Sequence, residues 1–169
     1  LLSNRNYFFI IVHTDEGICG LGEATLESHD DSILGCLSDL NDIVVGKDPT
    51  RIANLMQALI RQRFWKGGVV KASAISGIEL ACWDIIGKAA NKPVYELLGG
   101  ACRDRIRVYA NGWTGGATDP AVIKDKAAEA LAYGYQAFKF SLAVPTWPIR
   151  DSGVVRQIRR AAETIRNAV

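Results

Sequence analysis

The chain has 169 residues, of which 49% are hydrophobic, so it can bury a sizeable core in one domain or one and a half. Twenty Lys and Arg side chains against eighteen Asp and Glu leave a formal charge of +2, which excludes the basic footprint typical of nucleic-acid binding. No apolar run approaches the roughly 20 residues that span a bilayer, and no charged-then-apolar leader opens the chain. We therefore expect a soluble cytoplasmic protein with no membrane partner.

Two short apolar segments, residues 7–14 and 18–25, flank the turn-forming run Asp15-Glu16-Gly17 and predict a β-hairpin. Residues 30–45 follow with an apolar residue every three or four positions, which predicts a helix. The pair Asp48-Pro49 predicts the start of a second helix, with an N-cap and a proline at the first position. The expected core face of this second helix comprises Ile52, Leu55, Met56, Leu59 and Ile60.

The segment 72–100, ASAISGIELACWDIIGKAANKPVYELLGG, predicts a long helix with two different sides. One side is apolar at the helical period and is formed by Ile75, Ile78, Cys82, Ile85, Ile86 and Ala89. The other side is thin, because it carries Ser73, Ala74, Ser76, Gly77 and Ala81 instead of long charged side chains, so we expect another element to pack closely there. Asn91 and Pro93 predict the end of the helix, and VYELLGG predicts one more short turn.

Beyond Gly100 the pattern changes to alternating strands and helices. Residues 105–110 predict a strand, Asp119-Pro120 begins a helix that ends at Gly134, residues 136–141 predict a second strand, and Asp151 opens a final helix. This spacing is typical of consecutive βα units in a parallel sheet. Periodicity alone leaves both a doubly wound sheet and a (β/α)8 barrel open.

The order W-D-I-x-G-K-x4-P-V-x2-L-L-G-G, followed by CRDRIRVY, is similar to a segment of the mandelate racemase and muconate-lactonizing branch of the enolase superfamily. The run FWKGGVVKASAISGIELACWD most resembles the galactonate-type dehydratases, which act on acid sugars. The resemblance implies an α+β capping domain over residues 1–100, followed over residues 101–169 by the first two βα units of a (β/α)8 barrel. Because the chain lacks an initiating Met and ends within a helical pattern, we expect it to be a fragment.

The chemistry that the resemblance implies is a carbon-oxygen lyase reaction. Family members abstract the proton α to a carboxylate, bound magnesium stabilises the enediolate, and the dehydratases then eliminate the β-hydroxyl group. The three carboxylate ligands for Mg2+ come from later barrel strands in this family, so we expect them beyond residue 169 and none within this chain. The expected substrate is a small sugar-acid carboxylate, and the full-length parent is expected to be a homo-oligomer.

Two positions on the second predicted strand are catalytic candidates, Lys139 and Ser141. Strand alternation places them on one side and Phe138 and Phe140 on the other. Family members with racemase activity often carry K-x-K here, with the second lysine as a base, whereas this chain reads Lys139-Phe140-Ser141. The serine therefore favours elimination over racemisation, and Lys139 is expected to supply a cation near the substrate carboxylate.

Four further positions are candidate substrate contacts. Asn111 and Trp113 follow the first predicted strand, at the end where barrel enzymes place their active sites. Trp65 and Lys66 lie in a loop that would close over the barrel mouth, although Trp65 could instead be part of the cap core and Lys66 could be a solvated lysine.

Several alternatives remain open from the sequence. A racemase, an epimerase or a lactonizing enzyme of the same superfamily would share the fold, as would a non-catalytic relative. Gly112, Gly115 and Gly116 lie between a strand and a helix, which is a weak indication of a phosphate- or nucleotide-binding module. Acid-base roles are not assigned to Glu79 and Asp84, because they are five residues apart and do not share one helix face.

The remaining titratable side chains are interpreted as structural. The sequence has four widely spaced cysteines, without a C-x-x-C pair: Cys19, Cys36, Cys82 and Cys102. No histidine stands at metal-ligand spacing from them, so we predict reduced thiols and no zinc site. Structural roles are expected for Glu23, His13 and His29.

Overall fold

The computed structural model describes residues 6–61, 64–117, 119–140 and 152–168, and the chain forms two compact units, residues 2–102 and 103–169. The first unit contains β1 (Phe9–His13), β2 (Cys19–Glu23), α1 (Asp30–Val44), α2 (Ile52–Arg61), α3 (Val69–Ala90) and α4 (Val94–Leu97). The second unit contains β3 (Ala110–Asn111), α5 (Pro120–Ala132), β4 (Phe138–Lys139) and α6 (Ser152–Ala168). In the described ranges, no helix is long and apolar enough to cross a membrane.

The predicted hairpin is confirmed. Strands β1 and β2 pair antiparallel, from Phe9 opposite Glu23 to His13 opposite Cys19. The turn closes because the Thr14 N–H donates to the Ile18 carbonyl at 3.0 Å and the Thr14 hydroxyl donates to the same oxygen at 2.8 Å. Gly17 supplies the positive φ of 79° that this turn requires.

The thin side of α3 packs against β2, as the small residues predicted. A Cβ atom on Gly22 would lie 2.9 Å from the backbone nitrogen of Ala81 and closer still to the carbonyl oxygen of Gly77. A Cβ atom on Gly20 would lie 2.9 Å from the carbonyl carbon of Ala81 and 2.7 Å from Cγ1 of Ile85, so Ile85, which was predicted on the apolar side, also packs against β2. Glycine in the strand and small residues in the helix therefore let the two backbones approach more closely than any larger side chains would allow.

The apolar side of α3 forms a core with α1 and α2. The buried members of this core are Leu40, Ile43, Ile52, Leu55, Met56, Leu59, Ala74, Ile75, Ile78 and Cys82. Ala74 was predicted on the thin side, and its burial in this core corrects that assignment. The left-handed C-cap is confirmed, because Asn91 adopts φ 50° and ψ 43° and its N–H donates to the carbonyl of Lys88 at 3.1 Å.

Three details of the predicted helices were wrong: the start of one helix and the burial of two residues. Helix α2 begins at Ile52 rather than at Asp48-Pro49, because the Asp48 carboxylate accepts a bond from the Thr50 N–H and closes a separate turn first. Ile60 and Ala89 were expected on core faces but are exposed. Leu59, directly before Ile60, is fully buried, and the two side chains lie about 100° apart around the helix axis, so the core covers only Leu59.

The second unit has a parallel ladder, with Ala110 opposite Phe138 and Asn111 opposite Lys139. The predicted parallel pairing is confirmed, but the ladder is shorter than the strands predicted over 105–110 and 136–141. Residues 105–109 belong to no strand, and Ile106 is 78% exposed. In the described part of this unit β3 and β4 have only each other as partners, so few backbone groups can enter a ladder.

Helix α5 begins as predicted, because the Asp119 carboxylate accepts from the Ala121 N–H at 2.8 Å with Pro120 in the first turn. One core lies between the ladder and the helices, formed by Ala110, Trp113, Ile123, Ala127, Ala130 and Ile165. Closure into a barrel, and the assignment of 1–100 and 101–169 to two domains, stay predictions.

Candidate functional site

Two predicted site residues are neighbours in the second unit. Asn111 and Lys139 are register partners across the parallel ladder, and each is the last residue of its strand. Both are exposed, whereas the preceding pair, Ala110 and Phe138, packs into the helix-facing core. Because successive strand residues point to opposite faces, the amide and the ammonium group lie on the face away from that core. This edge can present a cation and a neutral hydrogen-bonding group together.

Trp113 occupies a different position from Lys139. Its ring is only 8% exposed and packs edge-on against Phe138, with the ring centroids 5.3 Å apart. The indole Nε1–H is buried and has no acceptor among the described residues. Burial in the core favours a packing role for Trp113. A contact between this ring and substrate stays a prediction.

Ser141, the second catalytic candidate, lies outside the described residues. Its predicted position on the same side as Lys139 therefore rests on strand alternation alone. The sequence has a serine at position 141, where the K-x-K pattern would have its second lysine.

Trp65 and Lys66 lie in an exposed loop of the first unit. Trp65 is 84% exposed and contacts the ring of Phe64 edge-on at a centroid distance of 5.2 Å. Gly67 and Gly68 continue the loop with φ values of 85° and 90°, which few other residues adopt. The exposure argues against the interpretation of Trp65 as cap core, and a role in substrate choice stays a prediction for both residues.

One polar network was missed by the sequence analysis. A carboxylate oxygen of Asp84 accepts from the Leu21 N–H at 2.8 Å and from the Lys88 ammonium at 2.7 Å. Lys88 also donates to the Cys19 carbonyl at 2.7 Å, so two side chains of α3 bind the backbone of β2. The hydrogen bonds from Lys88 and then Leu21 lower the pKa of Asp84 below its ordinary value. The sequence feature that could have predicted this network is the i, i+4 spacing of Asp84 and Lys88. The hydrogen bonds give Asp84 a structural role.

A metal centre does not fit the described residues. Within 6–61, 64–117, 119–140 and 152–168, no group of three or more His, Cys, Asp and Glu side chains is placed to hold an ion. The chemistry of magnesium stabilisation needs several carboxylate oxygens around one point. No step is therefore assigned here to a metal, and ligands supplied from beyond residue 169 stay a prediction.

The phosphate-binding alternative is disfavoured by the start of α5. Gly112, Gly115 and Gly116 all have positive φ, and Gly112 and Gly116 leave open space, but the Ala121 N–H is already bonded to Asp119. A carboxylate at the helix N-terminus occupies one of the donors that would bind a phosphate, and its negative charge repels the anion.

The first unit also contains a cleft of about 870 Å3 between the hairpin and the connection from α1 to α2. Its walls are mainly apolar, with Val12, Leu37 and Leu55 among them, and Asp15 and Lys47 are among its charged lining residues. None of the predicted site residues lines this cleft, and we assign it no role.

Comparison with known proteins identifies the family. Residues 2–99 match the family model described as the N-terminal domain of mandelate racemase / muconate lactonizing enzyme. The chain belongs to this family. It is 46% identical over 135 residues to D-galactonate dehydratase from Xanthomonas axonopodis pv. citri, covering 80% of this chain and 35% of that relative. The chain thus spans about a third of the length of the curated relatives that it matches.

Solved structures of enolase-superfamily proteins share the fold. A candidate dehydratase from Mesorhizobium loti superposes with a TM-score of 0.90 and 37% identity, covering 97% of this chain and 46% of its own. An enolase from Agrobacterium radiobacter, a candidate galactarate dehydratase with bound sodium and L-malate, gives a TM-score of 0.81 and 36% identity. That match covers 96% of this chain and 41% of the other. The two-unit chain therefore has the fold of the corresponding part of these proteins.

Proposed function

We propose that the chain is the N-terminal part of a magnesium-dependent sugar-acid dehydratase, a carbon-oxygen lyase. The observation that carries this proposal is the 46% identity over 135 residues to a relative named D-galactonate dehydratase. In the proposed parent, residues 1–100 are the capping domain and residues 101–169 begin a (β/α)8 barrel. The substrate would be a small sugar-acid carboxylate, in a homo-oligomeric, cytoplasmic enzyme.

The edge formed by Asn111 and Lys139 supports this proposal. Active sites of barrel enzymes lie at the carboxyl ends of the strands, and both residues end their strands on the face away from the helix-packed core. An ammonium group at this position would attract the substrate carboxylate and favour the charge that develops as an enediolate forms. Asn111 would offer an amide for a hydroxyl or carboxylate oxygen.

The sequence at Ser141 favours elimination over racemisation. A serine hydroxyl is a far weaker base than a lysine amine, so proton abstraction would use Lys139 or a base from a later strand. Loss of the α proton and of the β-hydroxyl, together as water, would leave an enol that tautomerises to a 2-keto-3-deoxy acid. The exposed loop at Trp65 and Lys66 would contribute to the choice of sugar acid, because an 84% exposed indole is free to pack against a substrate.

The decisive experiment is to incubate the full-length parent with magnesium and a library of aldonic and aldaric acids. Each mixture is assayed for 2-keto-3-deoxy products and, separately, for stereochemical inversion. We expect loss of water with at least one acid. Inversion without loss of water would overturn the dehydratase proposal in favour of a racemase or epimerase, and no reaction with any acid would favour the non-catalytic relative.

Matched variants separate the proposed roles of the residues. In the parent, Lys139→Ala should lower kcat by about 100-fold or more, because it removes a charge that acts on the developing enediolate. Trp65→Ala should instead change the ratio of kcat/KM between acids, because this residue is proposed to contact the variable part of the substrate. A Lys139→Ala variant with unchanged kcat would exclude Lys139 from the chemistry.

A further inference from the structure

A cysteine and a histidine face each other across the hairpin of the first unit. His13 and Cys19 are the last register pair between β1 and β2, and His13 Nδ1 lies 3.0 Å from Cys19 Sγ. His13 is exposed and Cys19 is half-buried, so the sulfur keeps partial access to small solutes. The Lys88 ammonium is bonded to the carbonyl of Cys19 itself, which adds a positive charge beside the same residue.

The other three thiols provide a comparison within the same molecule. Cys82 is buried in the core, and this burial, with a smaller contribution from Glu79, raises its pKa to about 11. Partial burial also raises the pKa of Cys36 above its ordinary value. Cys102 is exposed, and the structure gives its sulfur no bonded partner among the described residues. Cys19 and Cys36 are both half-buried, and among the described cysteines Cys19 is the one with a histidine nitrogen at hydrogen-bond distance.

We propose that His13 and Cys19 form a thiol–imidazole pair and that Cys19 is the preferred site of oxidation by small peroxides. The imidazole accepts the thiol proton as Cys19 Sγ attacks one oxygen of hydrogen peroxide. The S–O bond forms as the O–O bond breaks, and the departing hydroxide takes the proton from the imidazolium to give water. Sulfur is oxidised to sulfenic acid while the peroxide is reduced, so atoms and electrons balance.

The test measures the sulfenic acid formed at each cysteine of the 169-residue chain. The chain is treated with hydrogen peroxide at pH 7 while dimedone traps sulfenic acid, and mass spectrometry of peptides gives a rate for each cysteine. We expect Cys19 to be labelled at least about tenfold faster than Cys102, since a positioned general base in an active site contributes about 100-fold or more. Cys82 should remain unlabelled, and its protection reports in the same sample that the first unit is folded.

Two variants assign the effect to His13. In His13→Gln the rate at Cys19 should fall to within about twofold of the rate at Cys102, while Cys82 stays protected. If His13→Gln exposes Cys82, His13→Thr, which suits a strand, serves in its place. Lys88→Met is the matched control for the neighbouring charge and should leave most of the rate advantage in place.

Three outcomes would overturn the proposal. Cys19 and Cys102 could react at equal rates in the unmodified chain. Cys19 could keep its advantage in a folded variant without His13. The faster labelling of Cys19 could also disappear in Lys88→Met but persist in the variant without His13. That result would assign the faster labelling to the ammonium group of Lys88. The test uses no sugar acid, so its failure leaves the proposed dehydratase function unaffected.

Discussion

Each of the two units packs helices against a two-stranded sheet, but the sheet of the first unit is covered more completely than that of the second. In the first unit α3 lies so close to β2 that a Cβ atom on Gly22 would be 2.9 Å from the backbone of Ala81. In the second unit the ladder has two residues in each strand, and Ile106 and Val108 stand exposed beside it. One helix is enough to cover an antiparallel hairpin. A two-stranded parallel sheet instead needs further strands beside it before its apolar residues are buried.

The largest expected effect tests the close contact of the first unit. Gly22→Val should lower the free energy of unfolding of that unit by about 3 kcal/mol or more, because its side chain would overlap the backbone of α3. Urea unfolding followed by far-UV circular dichroism measures the change. The matched control is Gly35→Ala, which meets no atom within 4 Å and should stabilise α1 by about 0.5 kcal/mol. Equal effects of the two substitutions would contradict the packing described here.

The second prediction concerns the buried thiol of the same core. Burial raises the pKa of Cys82 to about 11, so the folded unit retains a proton that the unfolded chain loses at lower pH. The associated stability is fully present below the unfolded pKa and is lost as pH rises from about 9 to about 11. Between these values the unmodified chain should lose about 2 kcal/mol more than Cys82→Ala, as measured by urea unfolding at each pH. Parallel losses in the two proteins would show that the thiol titrates normally.

The third prediction tests how the side chains of α3 hold β2. Asp84→Asn should cost about 1 kcal/mol at pH 7, because it weakens the bonds to Lys88 and to the Leu21 N–H. Since the folded pKa of Asp84 is lowered, the carboxylate stabilises above the unfolded value of about 4, and this contribution is lost as pH falls through the folded pKa. The exposed turn residue Asp15, changed to Asn, is the control. A cost that persists unchanged in acid would exclude the charge as its origin.

The smallest expected effect belongs to the second unit. Ile106→Ser should change the stability of this chain by less than about 0.5 kcal/mol, because Ile106 is 78% exposed. Ile123→Ala, in the core of the same unit, should cost about 2 to 3 kcal/mol. In the full-length parent the Ile106 substitution should become costly, since the proposed barrel would cover this side chain. Equal tolerance in both proteins would argue against a longer sheet.

Local chemistry explains which features the sequence predicted. The turn at residues 15–17, the cap at Asp119 and the end of α3 at Asn91 each depend on residues within a few positions. The thin side of α3 was also predictable, because Gly77 has no side chain and Ala81 has only a methyl group. The sequence did not predict that β2 would pack against this side through Gly20 and Gly22, because such packing depends on contacts between residues distant in sequence.

The candidate site was predictable to a smaller extent. Strand alternation correctly placed Lys139 on the face opposite Phe138, and the resemblance supplied its chemical meaning. The burial of Trp113 was missed, since a residue just after a strand can turn either toward the helices or away from them. The bonds of Asp84 to β2 were missed for a similar reason, because Leu21 lies 63 positions away.

Hydrogen exchange of backbone amides tests the contrast between the two units most directly. In the 169-residue chain under native conditions, the amides of α3 around Ile78 should exchange slowly, because only opening of the first unit exposes them. The amides of residues 105–109, which enter no ladder, should exchange close to the rate of an unstructured peptide. Similar protection in both segments would contradict the account of a closed first unit and an open second sheet.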